Sequence, residues 1–256
     1  MRTLVAIPVY NEEKYIRSVV SRVVQHAPNE VLVIDDGSTD HTPCLLAEQH
    51  VEVIRHATNR GYGRSMQDAF RWAAVDGYDW LITMDCDEQH EPEAIGAFLD
   101  AAATDQWDVI SGSRYLSLVD GNGCPPAARR AINQTIAADL NERLGLAVTD
   151  AFCGFKAYRV AALRGMSFTE SGYAFPLQFW VQAVAKQLRI TEIPVKLIYN
   201  DPTRTFGGPL NDDCVRLAHY REVLDAELTR CADRLPAVQV RTGHGSPRSL
   251  CGECAE

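Results

Sequence analysis

Three times in its first ninety residues the chain runs a short apolar segment straight into a cluster of polar and acidic groups. Residues 3–7 lead into Pro8-Val9-Tyr10-Asn11-Glu12, residues 30–34 into Asp35-Asp36-Gly37-Ser38, and residues 80–84 into Asp85-Cys86-Asp87-Glu88-Gln89-His90. Unbroken apolar runs of this length read as strands buried on both faces. Helical patterns fill the gaps. Residues 12–25 carry an apolar stripe of Tyr15, Ile16, Val19, Val20, Val23 and Val24, and further helices are predicted at about 40–49, 62–75 and 91–102, with strands at 51–55 and 108–111. Repeated strand–helix units predict an α/β fold with a mostly parallel central sheet and helices on both faces. In such sheets ligands bind beyond the carboxyl ends of the strands, so the three clusters are expected to share one crevice.

The second half is less regular. It predicts a helix over 127–144, a strand over 153–160, a helix over 175–186, a strand over 189–198 and a closing amphipathic helix over 212–234. After Pro236 the composition turns polar and glycine-rich, which predicts one domain over 1–235 and a loose tail over 236–256. With 256 residues and 46% hydrophobic composition, a single large domain has enough apolar surface to close a core.

The net charge of -9 argues against a nucleic-acid partner, which calls for a basic footprint. It leaves room for a small anionic substrate, because a metal ion and a few arginines set the local field. No apolar run approaches the roughly 18 residues that span a bilayer. The opening residues lack the apolar core and cleavage site of a signal peptide, so a cytoplasmic protein is expected. The eight cysteines are mostly scattered through core-like segments and read as reduced thiols. Cys251-x-x-Cys254 and His244, with no second pair at zinc spacing, carry little metal signal.

Asp85-x-Asp87 is the centre of the chemical reading. Two carboxylates one residue apart at the end of a buried strand need a positive partner. Mg²⁺ or Mn²⁺ supplies one, taking oxygen ligands and bridging carboxylates to a diphosphate, and Gln89 adds a neutral oxygen. The plainer alternative is an acidic loop capping the helix that follows. Asp35-Asp36-Gly37-Ser38 can likewise hold a base or ribose hydroxyl, or simply form an Asp-Gly turn and a helix cap. Asn59-Arg60-Gly61-Tyr62-Gly63 offers close backbone approach to a ligand, or a glycine turn. Arg114, in Gly112-Ser113-Arg114, has the planar fork that clamps phosphate. Arg129, Arg130 and Arg204 are further candidate cations, the last in a glycine-rich loop able to order over a substrate. Each of these is also an ordinary surface residue when taken singly.

In order, these motifs resemble the family 2 glycosyltransferases of the GT-A (nucleotide-diphospho-sugar transferase) fold. Within that family, Asp85-x-Asp87-x-Gln89-His90, Asp150-Ala151-Phe152-Cys153-Gly154-Phe155-Lys156 and Glu192-Ile193-Pro194-Val195 are similar to the dolichol-phosphate (polyprenyl-phosphate) mannosyltransferases. The resemblance spans about residues 3–208. It implies an inverting transfer of a sugar from a nucleotide-diphosphate sugar, GDP-mannose first, to a polyprenyl or dolichyl phosphate at the membrane surface. It places Pro8, Tyr10, Glu12, Ile34 and Asp36 around the nucleotide base, and Asp85 and Cys86 against the donor. Asp85, Asp87 and Gln89 would hold Mg²⁺ or Mn²⁺. Asp87, Arg114, Asp150 and Arg204 would form the catalytic group, with both arginines facing phosphates. A lipid phosphate acceptor is already an anionic nucleophile. A hydroxyl acceptor needs a general base, for which Asp150 is the first candidate.

Two departures stand out. Gln178 occupies a position where these mannosyltransferases usually carry glutamate. Their Arg-x-x-Gly-x-Ser-Lys segment is replaced by Tyr199-Asn200-Asp201-Pro202-Thr203-Arg204-Thr205-Phe206. These keep two alternatives open: a UDP-sugar transferase with a hydroxyl acceptor, and a degenerate nucleotide-sugar binding protein. A phosphohydrolase would want its Asp-x-Asp on an early strand, followed by Thr or Val. A nucleotidyltransferase would want a glycine-rich loop after the first strand.

Overall fold

In the computed structural model, residues 1–27, 30–116, 123, 125–199 and 205–236 are described. The chain forms one seven-stranded sheet flanked by helices on both faces. Its strands are β1 (Thr3–Val9), β2 (Val31–Asp35), β3 (Glu52–Arg55), β4 (Trp80–Thr83), β5 (Val109–Ser113), β6 (Lys156–Arg159) and β7 (Ile190–Pro194), in the order β3-β2-β1-β4-β6-β5-β7. All neighbours are parallel except β6, which runs antiparallel between β4 and β5. The helices are α1 (Ile16–His26), α2 (Thr42–Leu46), α3 (Tyr62–Val75), α4 (Ile95–Ala103), α5 (Ala127–Leu144), α6 (Phe175–Ala185) and α7 (Asp213–Cys231).

The alternation of side chains along β1 divides the core in two. Leu4 and Ala6 join Leu32, Ile34 and Leu81 under α3, α5, α6 and α7. Val5, Ile7 and Val9 join Val33 and Ile82 under α1 and α4. Both faces are therefore covered, which is why the central strands carry no polar alternation. α6 is buried almost all round, from Phe175 to Val184, and its sequence is accordingly an apolar run rather than a stripe.

The expected bounds of α3 and α5 are met to the residue. β1 continues two residues past its expected end, through Pro8. Val5 and Val9 make their main-chain bonds toward β2, so Pro8 faces β4, where pairing has stopped at Ala6↔Thr83. The missing N–H of Pro8 therefore interrupts no ladder. β6 is shorter than expected because residues 153–155 form a loop against Asp85. β7 stops at Pro194. The helix expected from residue 91 begins as a single 3₁₀ turn, Pro92–Ala94. The tail predicted from residue 236, with Cys251, Cys254 and His244, lies outside the described residues, apart from Pro236 itself. Among the described residues no helix is long and apolar enough to cross a membrane.

Register brings the polar clusters together. Val9 pairs with Asp35, so Tyr10–Glu12 and Asp36–Ser38 leave the sheet side by side. Ala6 pairs with Thr83, which sets the Asp85–His90 turn beside Pro8. The three clusters open into one crevice at the carboxyl ends of β1, β2 and β4, as the alternating pattern predicted.

Candidate active site

The crevice is a cavity of about 1180 Å³. That exceeds the usual 300–1,000 Å³ of a small-molecule pocket and leaves room for two substrates. Of the residues singled out in the sequence, Pro8, Tyr10, Glu12, Asp36, Asp85, Cys86, Asp87, Gln89, Arg114 and Arg129 line it. Ile34 does not reach it. Its side chain is fully buried in the core beneath Asp35 and Asp36. Asp150 sits behind the wall rather than in it, Arg130 turns to the Tyr115 ring, and Arg204 lies outside the described residues.

At one end, Asn11 adopts a left-handed backbone (φ 55°). Its amide donates to Ser38 Oγ, and its side-chain oxygen accepts from the Thr39 amide. The two strand-end loops are thereby tied together. Asp36 is a fastening carboxylate as well as a wall residue. It accepts the backbone N–H groups of Arg60 and Gly61, both at 2.8 Å, and lies 2.6 Å from His56 Nδ1. His56 Nε2 in turn meets Asp68 at 3.0 Å. This chain of contacts fixes the Asn59–Gly63 turn. The turn's glycines are required, since a Cβ on Gly61 or Gly63 would strike the carbonyl oxygens of Ser171 or Glu170. Nothing in the local sequence around His56 signals its role. It is visible only once β2, β3 and α3 are packed.

Beside this lies the carboxylate turn. Asp85 is half-buried and Asp87 buried, and Asp87 Oδ1 accepts the Gln89 amide at 3.0 Å. Glu88 between them takes a left-handed φ of 57°, which folds the turn tightly. His90 is buried, and burial pushes its pKa down to about 4, so the ring is neutral. Its Nδ1 accepts the Asp85 amide at 3.1 Å. The imidazole thus shapes the turn without adding charge to it. Gly154 seats the Asp85 carboxylate: a Cβ there would lie 2.5 and 2.6 Å from its two oxygens.

Among the described residues no group of three or more His, Cys, Asp or Glu is gathered as a closed metal cage. What the turn offers is two carboxylates and an amide oxygen opening on a cavity. That donor set fits a hard divalent ion that completes its shell with water and diphosphate oxygens. Asp85, Asp87 and Gln89 are the residues that would hold it.

Next along the wall, Arg114 makes a two-pronged pair with Asp150, at 2.6 and 2.9 Å. Asp150 has no exposed surface. It also accepts the main-chain N–H groups of Arg114 and Phe152, both at 3.2 Å. Burial alone would raise its pKa, but the Arg114 charge and hydrogen bonds outweigh that and hold the carboxyl below its ordinary range. Glu192 on β7 supports the loop from below, accepting from the Thr149 amide, the Thr149 hydroxyl and the Asp150 amide at 2.8, 2.7 and 3.1 Å. Arg114 is therefore aimed by a rigid anionic bracket.

Apart from Arg129, the far end of the cavity was not foreseen. Phe152, Tyr173, Phe206 and Tyr220 line it with Ile132, Leu197 and Pro176, and Arg129 and Arg216 stand among them. Arg129 lies 5.0 Å and Arg216 4.4 Å from the Phe206 ring centre. Gln178, the departure from the expected glutamate, is not in the wall. It is buried between α6, the 169–170 loop and α7. Its Oε1 accepts the Thr169 and Glu170 amides, both at 2.9 Å, and its Nε2 donates to Thr169 Oγ1 and Glu227 Oε2 at 2.9 and 3.0 Å. A glutamate could make the first two bonds and accept from the Thr169 hydroxyl, but it could not donate to the Glu227 carboxylate. The amide is thus explained by its neighbour Glu227, with no reference to the site.

The chain resembles known proteins over the same region. The sequence model described as "Glycosyl transferase family 2" matches residues 4–166. An undecaprenyl-phosphate mannosyltransferase of Micrococcus luteus is 29% identical, covering 86% of this chain and 94% of its own. A polyprenol monophosphomannose synthase of Mycolicibacterium smegmatis is 32% identical over 76% of each chain. Among solved structures, glucosyl-3-phosphoglycerate synthase from Mycobacterium tuberculosis, crystallised with Mn²⁺, uridine diphosphate and glucosyl-3-phosphoglycerate, superposes with a TM-score of 0.67 at 19% identity. It covers 92% of this chain and 81% of that one. The sheet order and this likeness establish the GT-A fold.

Proposed function

The chain belongs to glycosyltransferase family 2, and we propose that it transfers a sugar, mannose first, from a nucleoside diphosphate to a polyprenyl phosphate with inversion at the anomeric carbon. The Micrococcus and Mycolicibacterium relatives have names that specify a polyprenyl acceptor and mannose. GDP is the nucleotide that the resemblance implies.

The cavity's two ends support the reading. The base and ribose would rest against Pro8, Tyr10, Glu12 and Asp36, whose carboxylate is held in place by the Arg60 and Gly61 amides. The diphosphate would lie at the Asp85–Gln89 turn. A divalent ion bound there would neutralise charge developing on the leaving oxygen. Arg114, aimed by Asp150, presents its guanidinium to phosphate oxygens. Arg204, outside the described residues, is the further cation proposed for the same task. The aromatic and aliphatic far wall suits the first prenyl units of a lipid, with Arg129 near its phosphate. Work at a membrane surface follows from such an acceptor.

One observation carries the choice of acceptor. Asp150, the carboxylate that the sequence offers as a general base, has both oxygens engaged by Arg114 and by backbone amides, and no exposed surface. It is built to position a cation and not to take a proton. An acceptor that arrives as a phosphate anion needs cations and no base.

The test is calorimetry and thermal shift with GDP, UDP and their sugars, with and without Mn²⁺, followed by transfer to a short-chain polyprenyl phosphate. Binding to the native state raises the melting temperature by mass action. Metal-dependent stabilisation by GDP-mannose and formation of a lipid-linked mannose are expected. A preference for UDP would keep the transferase and change the donor. No response to any nucleotide would overturn the catalytic reading in favour of a degenerate binder.

A further inference from the structure

We propose that Arg216, on the closing helix α7, is an acceptor-binding residue that places a guanidinium in the cavity to hold the acceptor's phosphoryl group. The inference rests on the reading above, that the far end of the cavity receives a phosphate-bearing acceptor.

Arg216 is 3% exposed and yet forms part of the cavity wall. A buried guanidinium is costly unless anions or acceptors surround it. Here the protein satisfies it only in part. One Nη donates to the Leu210 carbonyl at 2.7 Å and the other to the Asp213 carboxylate. Asp213 itself is half-exposed, so its charge is shared with solvent. The guanidinium has five N–H donors, and among the described residues these are the hydrogen-bond partners it meets. The cavity is where the remaining donors can find an acceptor.

Phe206 sets the geometry. Its ring is flanked by Arg216 from α7 and Arg129 from α5, and Tyr173 meets it edge-on at 5.4 Å. The two Phe206–Gly207 amides are pinned to Asn211 Oδ1 at 3.0 Å each, just before α7 begins. Two cations therefore converge on one aromatic platform at the apolar end of the cavity, away from the Asp85–Asp87 turn. A phosphoryl group attached to a hydrocarbon matches that pairing of charge and apolar wall. Arg216 lies in the closing segment, beyond residues 4–166 over which the family match runs.

The experiment compares wild type, Arg216→Gln and Arg216→Lys in acceptor titrations at saturating donor. One arm uses a short-chain polyprenyl phosphate and the other a soluble phosphorylated acceptor, phosphoglycerate. Donor affinity is measured separately by calorimetry. Loss of one charge-assisted hydrogen-bonding group predicts a rise of roughly tenfold or more in acceptor KM for Arg216→Gln. Arg216→Lys should recover part of it, and donor affinity should stay within about twofold. The arm that responds identifies whether the phosphate is lipid-borne or free. Unchanged acceptor KM in Arg216→Gln overturns the proposal. So does equal loss of donor and acceptor binding in both variants, which would make Arg216 a packing residue. A wild-type enzyme that binds nucleotide sugar but transfers to neither acceptor overturns the reading beneath it instead.

Discussion

Replacing Gly154 with alanine separates the role of the Asp85 carboxylate from the stability of the fold. The added methyl would stand 2.5 and 2.6 Å from the two Asp85 oxygens and 2.8 Å from Cγ. Gly154 is not among the glycines with positive φ, so alanine meets no backbone strain there. Its carbonyl is pinned by Thr83 Oγ1 at 2.8 Å, which opposes a shift of the loop. The half-exposed carboxylate is the part that gives. Reaching an ordinary contact distance takes a retreat of about 1 Å. Rotation of a partly solvated side chain costs the fold little, and the loss of unfolded-state freedom on going from Gly to Ala offsets about 0.4–1 kcal/mol of it. For a ligand-holding group the same movement is severe, since misplacement by about 1 Å can cost around 10²-fold. The expected result is a melting temperature within a few degrees of wild type, with metal-dependent nucleotide affinity reduced at least tenfold. Calorimetry with and without Mn²⁺ reads the second quantity, and circular dichroism the first. Wild-type metal-dependent affinity would refute the assignment of Asp85. A collapse in stability would refute the claim that the carboxylate yields before the backbone.

Four further outcomes follow from the same geometry. Asp87→Ala should abolish metal-dependent donor binding and leave the circular dichroism spectrum unchanged; retained affinity with metal present would remove Asp87 from the metal site. Asp150→Asn keeps the shape but loses the charge that aims Arg114, so turnover should fall at least tenfold while nucleotide affinity is retained, and equal activity would show that the bracket is dispensable. Gln178→Glu would bury a second carboxylate against Glu227 and lose both amide donors, for about 3 kcal/mol and a drop of roughly 5–10 °C in melting temperature with donor binding intact; recovery in the Gln178→Glu, Glu227→Gln double variant would confirm the cause. Asp108, hydrogen-bonded to Arg189 and paired with Arg159, has its carboxyl lowered to about 2. A depressed carboxyl pKa stabilises above the unfolded value and loses that stabilisation as pH falls toward the folded one. Asp108→Asn should therefore cost about 2 kcal/mol at neutral pH, and denaturant titrations of the two proteins should converge between about pH 4 and pH 2. A gap that persists at pH 2 would mean that packing, not charge, is responsible.

The parts of this structure that were legible in the sequence are those whose physics is local. α3 and α5 each follow one apolar stripe, and their bounds were readable from it. The strand-end clusters were readable because a buried parallel strand tolerates no carboxylate before its end, so Asp35 and Asp85 mark where β2 and β4 leave the core. The antiparallel β6 was readable as a strand but not as a partner of β4 and β5, because direction is set by connections and not by composition. The roles of His56 and Gly154 were not readable. Each depends on which segments the sheet brings into contact, 20 residues away for Asp36 and His56 and further still for Asp85 and Gly154.

This division has a consequence for specificity. The end of the cavity proposed for the donor is drawn from the carboxyl ends of three adjacent strands, and every one of those residues lies within 4–166, over which the family match runs. The end proposed for the acceptor draws Tyr173, Phe206, Arg216 and Tyr220 from later segments, joined by Phe152 and Arg129 from within residues 4–166. The two ends meet at Arg114, whose bracket reaches across from Asp150 to Glu192 on β7. A change of acceptor therefore need not disturb the carboxylate turn. It can be made by substituting residues on α7 and the segment before it, which pack on α5 and α6. Exchanging that closing segment with one from a relative should move acceptor preference while donor choice stays with the strand ends. A coupled change in both would mean that the cavity behaves as one unit, and that the separation drawn from its lining residues is wrong.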